Sequence, residues 1–148
     1  MAVDVKIKGR RKIKKQFSNI GAIIVKDTNR EMLKIITEMD ADVKKTISTG
    51  GRSGKVYGKR RHQASAPGEA PKTDKGGLVA GFLFDVRGTK KNIIGRIRNI
   101  SQYAAAVEFK PKSKGGRPFM RPLYERWESK ASKRLGVKIK RSIRKAVR

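Results

Sequence analysis

The chain has 148 residues, enough for one domain with a modest core, and sets 39 Lys and Arg against 12 Asp and Glu, a formal net charge of +27. Hydrophobic residues are 36% and charged residues 34%, so the chain repels itself and its surface is largely of one sign, unlike the mixed charges of a merely soluble surface. Nucleic acid, an acidic protein surface or an anionic membrane face are the partners such a balance calls for. The absence of cysteine excludes a disulfide framework, a thiolate metal site and a cysteine nucleophile. No stretch approaches the ~20 apolar residues of a spanning helix, and the first residues lack the apolar core of a signal peptide, so synthesis inside the cell is expected.

Residues 3–7 alternate apolar and polar and predict a short strand. From Ile13 the period changes: Ile13, Phe17, Ile20, Ile24, Met32, Ile35 or Ile36, Met39, Val43 and Ile47 follow steps of three and four, one face of an amphipathic helix, with Thr28 where an apolar residue is missing. Gly21 leaves open one helix of roughly 50 Å or two shorter ones. Asp27, Glu31, Glu38, Asp40 and Asp42 gather five of the twelve acids here. They read either as a solvated face or as a band docking the basic surface of a neighbouring copy.

Residues 48–77 hold seven glycines with Pro67 and Pro71, and carry Arg52, Lys55, Lys59, Arg60, Arg61, Lys72 and Lys75 without apolar periodicity. The segment reads as a flexible basic arm, mobile until something binds it. A strand is expected over Leu78–Val86, a turn over Gly88–Asn92 and a return strand over Ile93–Ile100 with Arg96 and Arg98 on one side. Ser101 is placed to cap a short helix over 102–109. A last helix is expected to start near Pro118–Phe119, with Met120, Leu123, Tyr124, Trp127 and Ala131 on one face. It would continue through Ile139, Ile143 and Val147. Residues 1–148 thus form a single α+β domain: a long N-terminal helix, a small antiparallel sheet, a C-terminal helix and a long basic Gly-rich loop.

The chemistry-bearing residues do not assemble a catalytic set. His62 is the one histidine and lies among basic residues with no neighbour in sequence to orient it. Asp40 and Asp42, two apart on a helix, do not face each other. Gly50–Lys55 fails the phosphate-loop pattern G-x-x-x-x-G-K-[ST]. No enzyme activity, metal or cofactor is expected. Three basic zones stand out: residues 6–15 with seven Lys and Arg, the arm, and residues 129–148 with nine, the first and last without acids. Lys55, Lys59, Arg60 and Arg61 in the arm and Lys138, Lys140, Arg141, Arg144 and Lys145 in the tail are candidate contacts to phosphates of duplex DNA or to an acidic partner. Aromatic residues are too sparse in these zones for stacking on single strands.

The order of pieces is more specific than the charge. Ala70-Pro71-Lys72-Thr73-Asp74-Lys75-Gly76-Gly77-Leu78-Val79 leads into the hairpin. Tyr103-Ala104-Ala105-Ala106-Val107-Glu108-Phe109 follows it, and Arg117-Pro118-Phe119-Met120-Arg121-Pro122-Leu123 opens the last helix. This order resembles the small neck or tail-completion (minor tail, head–tail joining) proteins of long-tailed bacteriophages. That family has an Asp-Thr-Gly-Arg-Leu-like turn, a Tyr-Ala-x-x-x-Glu-Phe-Gly segment and an Arg-Pro-Phe-x-Arg-Pro helix start. Here Lys75 and Gly77 replace the usual Thr and Arg, and Lys110 the Gly after Phe109. On this resemblance Asp74, Gly76, Leu78, Tyr103, Glu108, Phe109, Arg117, Pro118, Phe119, Arg121 and Pro122 are structural motif residues. It implies a ring-forming virion component, assembled in the host cytoplasm, that contacts the head–tail connector and the tail terminator and no membrane. A basic ring could also hold the genome end. Composition alone suits a different class, a sequence-nonspecific nucleic-acid-binding protein associated with ribosome or nucleoid. From the residues themselves, Phe119 and Tyr103 are expected to anchor short elements on the sheet, and Glu108 to pair with Arg117 or Arg121.

Overall fold

One helix, α1 (Arg10–Thr49), runs uninterrupted for 40 residues, about 60 Å at 1.5 Å per residue. The structure, a computed structural model, describes residues 9–51, 53–59, 61–89 and 92–147; the strand expected over residues 3–7 lies outside them. Gly21 does not break α1. A Cβ built there would meet nothing within 4 Å, so the helix passes through at roughly the 1 kcal/mol cost of a glycine.

A second long helix, α4 (Met120–Val147, 28 residues), lies antiparallel against α1. It crosses Gly136 without a break. Its buried face is Leu123, Trp127 and Ser142, with Ala131 and Leu135 partly buried. Tyr124, Ile143 and Val147, expected on that face, are exposed instead, because the stripe that meets α1 advances by 3.6 rather than 4 residues per turn and reaches Ser142 where a four-residue step reaches Ile143.

The acids of α1 are not simply a solvated face. Four of them bind α4 of the same chain. Trp127 donates its indole N–H to Asp42 at 2.8 Å, and Arg126 donates to the same oxygen at 3.2 Å. Arg134 spans Glu31 at 2.7 Å and Glu38 at 2.6 Å. Ser142 donates to Asp27 at 2.8 Å. Asp40 instead takes Lys44 one turn along its own helix at 2.7 Å. The Asp27 carboxyl is held below its usual range chiefly by the Ser142 hydrogen bond, and Glu38 by that of Arg134. At Asp42 burial pushes upward, and the hydrogen bonds from Trp127 and Arg126 outweigh it.

The chain between the two long helices packs on α1 beside α4, around the same core. A four-residue helix, α2 (Gly77–Ala80), precedes β3 (Phe82–Gly88), which pairs antiparallel with β4 (Ile93–Asn99). The strand expected from Leu78 therefore begins only at Phe82: Gly76, at φ 79°, turns the chain into helix first. The hairpin lies so close on α1 that a Cβ on Gly95 would stand 2.7 Å from Ile36 Cγ1, so any larger residue would have to push Ile36 and Met32 aside. Ile35, Ile36, Met39, Val43 and Ile47 of α1 form the core with Leu78, Phe82, Ala104, Phe119, Leu123 and Trp127.

The expected arm has local structure in its described residues. β1 (Val56–Tyr57) pairs with β2 (His62–Gln63), and beyond it the Glu69 carboxylate accepts from Ser53 Oγ and from Ala66 N–H.

Replacing Phe119 by Ala removes a ring that is 2% exposed and edge-on to Phe82, centroids 5.8 Å apart. A loss of about 3–5 kcal/mol in denaturant-melt stability is expected. Acid should loosen the α1–α4 seam. Asp27, Glu38 and Asp42 have depressed folded pKa values, so their stabilisation is present above the unfolded carboxylate values and is lost as pH falls. Thermal melts should decline from about pH 4 downward, less steeply for Ser142→Ala than for the unsubstituted chain.

Candidate functional site

The three motif segments, separated by up to fifty residues in sequence, meet at one corner of the fold. Its centre is Glu108, on the helix α3 (Ala104–Phe109). An α-helix begins with backbone N–H groups that have no partner inside it. At the start of α4 those of Phe119, Met120 and Arg121 donate to the Glu108 carboxylate at 2.7, 2.9 and 3.0 Å. A carboxylate there also meets the positive end of the helix dipole. Glu108 thus binds backbone rather than the side chains of Arg117 or Arg121. Arg121 reaches Glu125 at 3.6 Å. Pro122 falls within the first turn, where its missing N–H leaves no helical bond unmade. Pro118 stands just before the helix.

Arg117 ties this corner to the arm. Its backbone N–H donates to Val107 O at 2.9 Å and its Nε to Ser65 O at 2.9 Å. Gly68 N–H donates to Gly116 O at 2.8 Å. The Thr73–Gly76 turn closes by a hydrogen bond from Gly76 N–H to Thr73 Oγ1 at 2.9 Å, and Leu78 is buried. Asp74 is exposed, 3.6 Å from His62 Nδ1; this neighbour of the lone histidine was invisible in sequence. Ser101 does not cap α3 with its side chain. Its hydroxyl donates to Gly77 O at 2.9 Å, joining the Gly77 turn to the end of β4. A cleft of about 360 Å³ lies between the turn, the arm and α3, bordered by Asp74, Leu78, Tyr103, Val107 and Arg117. Tyr103 is half-exposed at its edge and does not anchor an element on the sheet; Phe109 points outward, 82% exposed.

A larger groove, missed in sequence because four separate elements build it, opens where β4, α3 and α4 meet over α1. It measures about 860 Å³ and is almost wholly apolar.

The basic zones fall at opposite ends of α1. Lys55, Lys59 and Arg61 are exposed on the β1–β2 hairpin, near the C-terminal end of α1 where Thr73 N–H bonds Ile47 O; Arg52 and Arg60 lie outside the described residues. Lys140, Arg141, Arg144 and Lys145 are exposed and Lys138 half-buried on α4, beside Asp27. Since Ile47 and Asp27 are twenty residues apart on one helix, these zones are separated by about 30 Å. The tail zone and the run Arg10–Lys15 share the other end. No helix among the described residues is long and apolar enough to cross a membrane.

Glu108→Ala leaves three N–H groups of α4 without acceptors and should cost about 2 kcal/mol. Glu108→Gln keeps one carbonyl acceptor and should cost less. Hydrogen exchange should show the loss concentrated at residues 117–123. Comparison with protein-family models, with curated proteins and with solved structures returns no match for this chain.

Proposed function

We propose that this chain is a non-enzymatic structural protein of the neck of a long-tailed bacteriophage, completing the tail at the head–tail junction as part of a homo-oligomeric ring. The observation that supports this reading most is the convergence of the three ordered motifs: Glu108 joins 103–109 to 117–123, and residues of 70–79, of 103–109 and Arg117 border one cleft. Three motifs that border one cleft have a shared structural reason. The connector on one side and the tail terminator on the other are the partners the resemblance implies.

The charge supports a second role for the same protein, a sequence-nonspecific grip on duplex DNA. The end bearing Arg10–Lys15 and the α4 tail displays cations whose acids are already bound within the chain. Such a surface holds phosphates through counter-ion release and reads no bases. As a free ribosome- or nucleoid-associated factor the chain would use only this role.

Two measurements test the reading. Purified particles should contain the chain, and loss of its gene should leave unjoined heads and tails; a chain abundant in host cytosol and missing from particles overturns the neck assignment. DNA affinity should fall with salt on a log–log plot by about 0.9 per phosphate contacted. Neutralising Lys140, Arg141, Arg144 and Lys145 should lower that slope and weaken all sequences alike. Binding that ignores salt overturns the DNA role.

A further inference from the structure

The strand β4 has one neighbour. It forms a two-stranded sheet with β3, and no other described strand joins them. Ile100 N–H donates to Gly81 O at 2.9 Å, and Thr89 N–H to Asn92 O at 2.7 Å. These two bonds fix the phase of the ladder. Bonded and unbonded pairs alternate between antiparallel strands, so Leu83 exchanges bonds with Arg98, Asp85 with Arg96 and Arg87 with Ile94. Gly95 and Ile97 therefore turn their N–H and C=O groups away from β3, and among the described residues nothing bonds them. An unpaired edge of this kind is a template for another strand.

That edge opens on the apolar groove. Residues 95–99 all line it. Neighbours along a strand alternate faces, so an unbroken run of five meets the groove edge-on, over about 17 Å. Beneath the edge lie Met32, Ile36 and Met39 of α1, and α3 and α4 form the far wall. Gly95 lies against Ile36, and Ile97 packs on the core. Arg96 and Arg98 leave from the opposite face of the strand. Both are exposed, and neither has a hydrogen bond or ion pair among the described residues; Asp85, across from Arg96, is taken by Arg87. Arg121 adds a third cation at the α4 side, 3.6 Å from Glu125. Against these stands Glu128, since the Glu108 carboxylate is committed to the first turn of α4. The groove thus has an apolar floor, a cationic rim and an open backbone edge.

We propose that this groove takes an extended segment of an acidic partner protein, added as a third strand on β4, in which apolar residues alternate with Asp or Glu. Its backbone pairs with Gly95 and Ile97. Its residues opposite those two turn inward onto α1, where the glycine leaves width for a large side chain. Its residues opposite Arg96 and Arg98 turn outward and set carboxylates beside them, at cross-strand separations of about 5 Å. Main-chain bonds give such a contact its affinity and the alternating side chains its selectivity. A helix satisfies its own backbone and would leave the edge unpaired, and a nucleic acid has no amide ladder to offer it. A basic segment, such as residues 10–15 of another copy, would meet Arg96, Arg98 and Arg121 as like charges. The surface is read from the fold and the rim charges, and it stands apart from the neck assignment.

The capped peptide Glu-Val-Glu-Ile-Glu-Val-Glu, titrated into the full chain at about 0.3 M salt, where the Debye length has shrunk to about 6 Å, tests the proposal. Calorimetry should show binding, and hydrogen exchange should slow at the amides of Gly95 and Ile97. A block peptide of the same composition, its Glu residues all preceding its apolar ones, carries the same charge and cannot alternate. It should bind at least about tenfold more weakly. The double variant Arg96→Glu, Arg98→Glu changes two exposed side chains outside the core. It should weaken the alternating peptide at least about tenfold and narrow its advantage over the same peptide with Lys for Glu. The proposal is overturned by absent binding, by equal affinity for the alternating and block peptides, by affinity that the double variant leaves unchanged, or by protection that falls outside residues 93–99. Protection of those amides by duplex DNA, or by raising the concentration of the chain alone, overturns it too and gives the edge to nucleic acid or to a second copy.

Discussion

The antiparallel seam between α1 and α4 is the contact on which the rest of the structure depends. A chain with a formal charge of +27 holds two long cationic helices side by side. It does so by spending its scarce acids there: Asp27, Glu31, Glu38 and Asp42 all accept from α4. Apolar contact alone would leave those cations facing one another across a desolvated line. With the acids in place, Arg134 is satisfied on both sides and its charged form is favoured by Glu38 and Glu31. Trp127 buries its ring while its N–H keeps a partner, and Lys130 stacks over the same ring 4.0 Å from its centroid. The remaining described surface is predominantly cationic.

The corner around Glu108 solves a second problem for the same helix. α4 is held along its length by α1, but its first turn emerges from a loop and needs acceptors. No Ser, Thr, Asp or Asn precedes it; Arg117, Pro118 and Phe119 stand there instead. The acceptor comes from α3, eleven residues upstream of Phe119, and so the position of α3 and the start of α4 are fixed together. The Arg117 side chain then binds the arm to both. Any force on the arm or on α3 is therefore felt at the head of α4.

Much of this architecture was legible in the chain. The three-and-four spacing from Ile13 to Ile47 marked α1, the alternation from Phe82 to Val86 marked β3, and Pro118 and Pro122 bracketed the start of α4. The α+β class followed from that order. What stayed hidden depended on contacts between distant residues. Leu78–Ala80 alternate like a strand, yet the Gly76 turn winds them into helix. The acids of α1 read as a solvent-facing or intermolecular band because nothing in a single helix shows which neighbour it meets. Glu108 was recognised as a structural residue, but its arginine neighbours in sequence were the obvious partners; backbone N–H groups carry no letter. The groove needs four elements to exist and has no signature of its own. Gly95 in the middle of β4 was a clue to close approach on α1 that passed unread.

A helix of 40 residues without a hinge is a lever. Its fulcrum is the seam, which grips α1 from Asp27 to Asp42, and its long arm is the free end reaching back to Arg10. Over the seventeen residues from Asp27 to Arg10, about 25 Å, a tilt of about 10° at the seam swings the tip by about 4 Å, more than the reach of a hydrogen bond. Bond angles at Arg134 and Trp127 therefore set the aim of a tip whose residues Arg10–Asn19 are all exposed. Mechanical advantage of this kind makes a small adjustment between two buried faces large at the periphery, and it runs in reverse: a partner that seizes the tip applies torque directly to the pair of helices that hold the molecule together.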